Sequence, residues 1–291
     1  MAEYPVVLGV IGGSGVYDID GVELVAEHHV ETPFGDPSDK IVEVRLGDSK
    51  AFFLPRHGRG HRLLPSDVNY RANIFALKTL GVSHVLAVSA VGIMKEDIKP
   101  GDMVVPDQIF DRTKGIRQSS FFGDGIVGHV EFADPFDKEM LTWIGQAARS
   151  CVDGVHEGGT YVCIEGPQFS TRAESIHYRE TLRPSVIGMT GLPEAKLVRE
   201  AEMCYGMLAL ATDYDCWKGG DEDVSVEAVL AVLKANSEHA KAIVKSLITQ
   251  LPATSSSPSL EAAKYAIITS PDAIPQKRRE ELDFLFGKYL G

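Results

Sequence analysis

Short apolar runs rich in β-branched residues recur along this chain, and the stretches between them carry their apolar residues at helical spacing. Val6 to Ile11, Ala51 to Leu54, His84 to Val88, Met103 to Val105, Tyr161 to Ile164, Val186 to Met189 and Met207 to Ala211 are bounded by glycine, proline or charge, which marks them as strands. Asn69 to Leu80, Asp137 to Cys151, Thr171 to Thr181, Pro193 to Glu202 and Ser225 to Leu251 read as the helices between them. In the last, Val226, Val229, Leu230, Leu233, Ala240, Ile243, Val244 and Leu247 keep to one stripe while Glu227 and Glu238 fall on other faces. Strands separated by helices pair as parallel neighbours, because a parallel connection has to cross over the sheet. The expected fold is therefore α/β, a single domain with a mixed, mainly parallel twisted sheet flanked by helices on both faces.

That domain is expected over residues 1–251, and the 44% hydrophobic content is enough to build its core. After Leu251 the composition shifts to PATSSSPS, which reads as a flexible surface crossing, and QKRREELDFLFGKYL reads as a closing helix. Residues 252–291 are thus a crossing and a C-terminal helix packed on the domain. There is no internal repeat.

A formal charge of −12 argues against a generic grip on nucleic acid or an anionic membrane, since both need basic patches. Any anion must be held locally. Cys151, Cys163, Cys204 and Cys216 have no metal-site spacing and read as reduced thiols, and no metal ligand set is visible. The start, MAEYPVVLGVIGGSG, has neither the basic region of a signal peptide nor an unbroken span, so a cytoplasmic protein is expected.

Donors gather after three of the strands. VVLGVIGGSG runs into glycines around Ser14, either a plain tight turn or a set of backbone N–H groups converging on an anion. It is not a dinucleotide fingerprint, since the third residue after Gly15 is Asp18, and no GxxxxGK[ST], GxSxG or HExxH occurs. LPRHGRGHRLLP places Arg56 and His57 after another strand, where a guanidinium fork and an imidazole N–H suit phosphate. VLAVSAVG adds Ser89 and Ala90 at a third. Ligands of open α/β sheets collect at the carboxyl ends of strands, so the three point to one shared anion.

GGSG, ETPFGDPS, RHGRGH, VNYRANIFALK, EGPQFSTRAES, GMTGLPE and ATDYDCWK, in this order, resemble the trimeric purine nucleoside phosphorylases, and most closely the members that act on 5'-methylthioadenosine. The resemblance covers roughly residues 5–248, and little of it extends into the tail after Leu251. It implies the nucleoside phosphorylase fold, a homotrimer, and phosphorolysis of methylthioadenosine to adenine and 5-methylthioribose 1-phosphate with no metal or organic cofactor. It places Ser14, Arg56, His57, Ser89, Ala90 and Thr190 on phosphate, Met189 on ribose, and Phe169 and Ser170 at the base. It also places Val226 and Val229 at the methylthio group, His129 in a neighbouring subunit's site, and Asp213 and Asp215 on adenine. Gln168 stands where an arginine is common in the family's animal members.

The acid pair has a physical rationale. Side chains two apart on a strand share a face, so Asp213 and Asp215 aim together. Adenine offers an N6 amino donor and, once protonated, an N7 donor. Apolar surroundings and a second acid raise a carboxyl pKa, as a general acid near neutral pH requires. Asp213 is assigned to N7 and Asp215 to N6. Rival readings are a nucleosidase using water, a 6-oxopurine or methylthioinosine phosphorylase, and a non-catalytic nucleoside-binding regulator.

Overall fold

The computed structural model describes residues 2–13, 19–218 and 226–290, with the side chains of 226–231 and 233 also outside the description. Its strands are β1 (Tyr4–Pro5), β2 (Leu8–Gly12), β3 (Glu23–His28), β4 (Ile41–Leu46), β5 (Ser49–Pro55), β6 (His84–Ile93), β7 (Met103–Val105), β8 (Gln108–Arg112), β9 (Val155–Glu157), β10 (Thr160–Ile164), β11 (Val186–Gly188), β12 (Cys204–Tyr214) and β13 (Thr254–Ser255). The helices are α1 (Tyr70–Thr79), α2 (Lys138–Cys151), α3 (Arg172–His177), α4 (Gly191–Glu200), α5 (Val226–Gln250) and α6 (Gln276–Phe286).

β2 to β12 form one sheet with β3-β4-β5-β2-β6-β11-β10-β8 as its main path; β12 pairs β6 and β7, and β9 pairs β7. The centre is parallel: β5, β2, β6 and β12 run together, and β8, β10 and β11 form a second parallel set. The sets meet antiparallel at β11 and β6, so the sheet is mixed, as the alternation predicts. All seven predicted strands form. β3 and β4 were missed because they carry polar residues on one face (ELVAEH, IVEVRL) and lack a continuous apolar run.

Local chemistry sets the helix ends. Asn69 caps α1 by accepting from the Ala72 N–H, Asp137 caps α2, and Thr171 with Glu174 closes a capping box on α3. α3 gives way to a π turn over Tyr178–Leu182, so the helix expected as far as Thr181 is not a regular one. One core layer packs Ile74, Leu197 and Phe286 against the sheet, and another packs Ile144, Ile243 and Leu247.

The crossing expected to be flexible is tied down. Ser255, Ser257 and Ser259 are buried, with Ser255 bonded to Glu139, and Ser257 and Ser259 to Asp137 at the start of α2. Alternate serines face inward to carboxylates, a pattern composition does not show. β13 pairs with β1, and α6 forms where the closing helix was expected, burying Leu282, Leu285 and Phe286.

Candidate active site

The carboxyl ends of β2, β5, β6, β11 and β12 surround a cavity of about 500 Å³. Gly13 follows β2, Arg56 and His57 follow β5, Ser89 to Gly92 lie in β6, Ile187 to Thr190 come from β11 and its end, and Thr212, Asp213 and Asp215 from the end of β12. β2, β5, β6 and β12 are parallel and present their chain ends on one side, and β11, antiparallel to β6, carries Ile187 to Thr190 back alongside it, which explains how residues far apart in sequence meet here.

Arg56 is 2% exposed, and its planar fork is already committed. Nε and Nη2 donate to the two oxygens of Glu194 at 2.9 and 3.0 Å, Nη2 also to Ile11 O, and Nη1 to Val88 O, both at 3.1 Å. Glu194 accepts from the Tyr205 hydroxyl as well, at 2.9 Å. Of five guanidinium hydrogens, one on Nη1 remains for the cavity. The fork expected to grip an anion therefore grips Glu194, and Arg56 offers the cavity a fixed charge and one N–H.

His57 differs from expectation in the same way. Its Nδ1 lies 2.9 Å from Leu63 O, an acceptor only, so Nδ1 carries the proton, and in the neutral ring Nε2 is an acceptor. Burial, with Arg56 beside it, pulls the imidazole down to about 4, which keeps it neutral. His61 stacks on it, ring centroids 4.4 Å apart. Nearby, the Ser89 and Thr190 hydroxyls lie 3.1 Å apart.

At the acidic end, β12 bulges between Ala211 and Asp213. Asp213 stands opposite Gly92 in the ladder, and Asp215 follows the strand, its N–H on Ile93 O. Both acids flank Gly92: a Cβ there would sit 3.6 Å from Asp215 Cβ and 3.8 Å from Asp213 Oδ2. Burial raises both carboxyls above the usual range. Thr212 opposes the rise for Asp213 while Asp215 adds to it, and for Asp215 the nearby Ser175 hydroxyl and the Cys216 amide oppose it. Asp215 Oδ2 and Ser170 Oγ are buried polar atoms with no protein partner. Such atoms are costly unless something satisfies them, so both mark a binding edge.

Arg117 braces the cavity wall. It donates to Glu165 through Nε at 2.6 Å and through Nη2 to the Glu165 carbonyl at 2.5 Å, and Nη1 bonds Met189 O and Leu192 O at 2.6 Å each. One buried cation thereby fixes the backbone around Met189 and Thr190.

Of the predicted residues, Arg56, His57, Ser89, Ala90, Phe169, Ser170, Met189, Thr190, Asp213 and Asp215 all line this one cavity. Ser14 lies outside the described residues, as do the side chains of Val226 and Val229; from α5 the described lining is Ser237 and Ala240. His129 is not brought to the cavity of its own chain: it is exposed, its N–H on Ala266 O. Sequence reasoning missed Glu194, Arg117, Glu165 and Thr212. An acid and a base that pair 138 residues apart, as Arg56 and Glu194 do, leave no signal in one sequence.

The phosphorylase superfamily matches residues 7–249. An S-methyl-5'-thioadenosine phosphorylase of Geobacter sulfurreducens is 52% identical over 284 residues, covering 98% of this chain and 99% of that protein. That span takes in most of the tail after Leu251, where motifs alone showed little likeness. A crystal structure of methylthioadenosine phosphorylase from an antarctic soil metagenomic library superposes with a TM-score of 0.90 at 44% identity, covering 97% and 99% of the two chains. A variant of the adenosine/methylthioadenosine phosphorylase of Schistosoma mansoni, in complex with methylthioadenosine, superposes with a TM-score of 0.81 at 38% identity, covering 89% and 96%. With the sheet, the strand-end cavity and these matches in agreement, the chain belongs to the phosphorylase superfamily.

Proposed function

We propose that this protein cleaves the N-glycosidic bond of 5'-methylthioadenosine with inorganic phosphate, releasing adenine and 5-methylthioribose 1-phosphate for purine and methionine salvage. The observation that carries this reading is the cavity itself: a buried arginine and two hydroxyls at some strand ends, two carboxyls raised by burial at another. A hydrolase would have no use for the first group. A relative crystallised in complex with methylthioadenosine supports the substrate.

Phosphate is held by Ser14, Arg56, His57, Ser89, Ala90 and Thr190. Neutral His57 accepts a hydrogen bond from a phosphate O–H, while Arg56 supplies the positive field. Met189 lies against the ribose, Phe169 and Ser170 against the base, and Val226 and Val229 against the methylthio group. As the glycosidic bond stretches, the sugar becomes cationic and faces phosphate, and the bonding pair moves into the purine. Asp213 gives its proton to N7, which makes adenine a neutral leaving group. Asp215 accepts from N6. The atoms balance with phosphate as co-substrate and no metal or organic cofactor.

The assembly we propose is a homotrimer in which His129 completes a neighbour's site, within the cytoplasm. Mixing His129→Ala subunits with Asp213→Asn subunits then restores partial activity, whereas an active monomer in light scattering would refute shared sites. Among the described residues no helix is long and apolar enough to cross a membrane.

The acid pair is tested with two variants and two substrates. Asp213→Asn cannot give up a proton and should lose turnover on methylthioadenosine by about 10² or more, the usual scale of general acid catalysis. Asp215→Asn should lose selectivity more than turnover, because an amide can donate to a 6-oxo group. The wild type should reject methylthioinosine by roughly 10⁴-fold. Comparable cleavage of both substrates would show that the acids do not read the base.

A further inference from the structure

Behind Asp213 lies a hydroxyl with two partners. Thr212 is buried, and its Oγ1 is 3.1 Å from Val91 O and 2.5 Å from Asp213 Oδ1. A hydroxyl has one proton and a carbonyl only accepts, so while Asp213 is ionised or carries its proton on Oδ2 the two contacts compete for it. The shorter distance belongs to the range of an O–H bonded to an ionised carboxylate. The bulge makes this competition possible: with Ala211 O held by Gly101 N–H and Asn236 Nδ2 at 2.9 and 3.0 Å, the next residue turns back between β6 and the acid.

We propose that Thr212 is a positioning residue for the acid step: its proton rests on Val91 O while Asp213 is protonated at Oδ2, and swings to Asp213 Oδ1 as the Oδ2 proton passes to the departing base. This rests on the reading of Asp213 as the acid. The step balances: the Oδ2–H bond breaks, an N–H bond forms on the purine using a pair on its nitrogen, and the hydroxyl proton only changes its acceptor. The swing gives the new carboxylate a hydrogen bond that the neutral acid needs less, so it favours the protonated base and hence cleavage. It also covers Oδ1, which leaves Oδ2, 3.8 Å from where a Cβ on Gly92 would stand, to carry the transferable proton.

Few other charges face Asp213 among the described residues. Asp215 lies just beyond it, Arg56, His57 and His61 line the same cavity, and Glu174 acts on Asp215. Val91, Gly92 and Ile93 of β6, Ile187 and Gly188 of β11, and Ser237 and Ala240 of α5 bring none. An effect on the titration of Asp213 therefore has few other sources.

The test is Thr212→Val, which keeps the shape and removes the hydroxyl, beside Thr212→Ser, which keeps the hydroxyl. With methylthioadenosine, the valine variant should lose about 10- to 100-fold in kcat, with the phosphate KM within about twofold, because a hydrogen bond to a charged group is removed from the step that creates the charge. Its alkaline limb in the kcat–pH profile should move to higher pH, since an unsupported carboxylate holds its proton more tightly. The serine variant should restore both. An N7-methylated nucleoside, whose base leaves without a proton, should be cleaved by the valine variant nearly as fast as by the wild type, so a loss shared by both substrates reports damaged folding and overturns the proposal. Equal kcat and equal pH limbs for valine and wild type, with Asp213→Asn still impaired, would remove Thr212 and leave the acid in place. If Asp213→Asn were itself unimpaired on methylthioadenosine, the acid reading and this proposal would fall together.

Discussion

Replacing Glu194 with glutamine isolates the pairing that holds Arg56. Both side chains are almost fully buried, and Glu194 takes two N–H bonds from the guanidinium and one O–H from Tyr205. Glutamine keeps one carbonyl oxygen, which can serve Tyr205 and one guanidinium N–H, but it turns an NH₂ toward the other and leaves a buried cation uncompensated. Arginine stays charged in any case, so the cost is not escaped by deprotonation. Removing one partner of a buried ion pair costs about 3–5 kcal/mol, and at about 2–4 °C per kcal/mol for a chain of this class the melting temperature should fall by roughly 6–20 °C. Displacement of the guanidinium should also lower kcat/KM for phosphate by about tenfold, the loss of one charged hydrogen bond. Differential scanning calorimetry and phosphate-varied initial rates measure the two. A melting point within about 2 °C of wild type, with phosphate kinetics unchanged, would show that Arg56 does not depend on Glu194 and that the field at this end has another source.

His57 Nε2, an acceptor in the neutral ring, should prefer oxyanions that carry a proton: phosphate and arsenate should bind at least about tenfold more tightly than sulfate at pH 7, and His57→Asn, with an N–H to offer, should narrow that ratio, as competition assays would show. Gly92→Ala would bring a Cβ to 3.0 Å from Ile187 Cγ2 between the two acids, so we expect about 1–3 kcal/mol of lost stability and a lower kcat, read by urea unfolding and initial rates. Burial holds His84 at about 4 against 6.5 when free, so between those values the unfolded chain binds more protons and stability falls as pH falls; His57 acts in the same sense. Glu200, pushed up to about 7 from 4.5, acts oppositely, stability being lost as pH rises through that window. Urea midpoints between pH 7 and 5 should therefore fall less in His84→Gln and more in Glu200→Gln than in wild type.

Much of this architecture is legible in one sequence because the central strands are buried on both faces and carry continuous apolar runs, as in VVLGVI and MLALA. β3, an edge strand with no buried residue, and β4 beside it, whose polar residues share one face, lose that signature, and the serines after Leu251 look like a linker because composition does not reveal that alternate ones meet Asp137 and Glu139. The site was readable where donors follow strands directly, and ten of the expected residues meet in one cavity. What could not be read is which donors are already engaged. Arg56 and His57 are at the cavity, yet Glu194 and Leu63 O take the hydrogens that looked available, and those partners are set by tertiary contact alone. The spacing of Asp213 and Asp215 was informative, although a bulge and the end of β12, not an unbroken strand, bring both beside Gly92.

In the proposed reaction phosphate, held at the Arg56 end, attacks the sugar while Asp213 releases the base. The direct measurement is adenine release from methylthioadenosine across a phosphate series, with the sugar product followed by phosphorus NMR. Release should saturate with phosphate, stop in phosphate-free buffer and yield one sugar 1-phosphate per adenine. Equal release without phosphate, with free methylthioribose as the product, would contradict it.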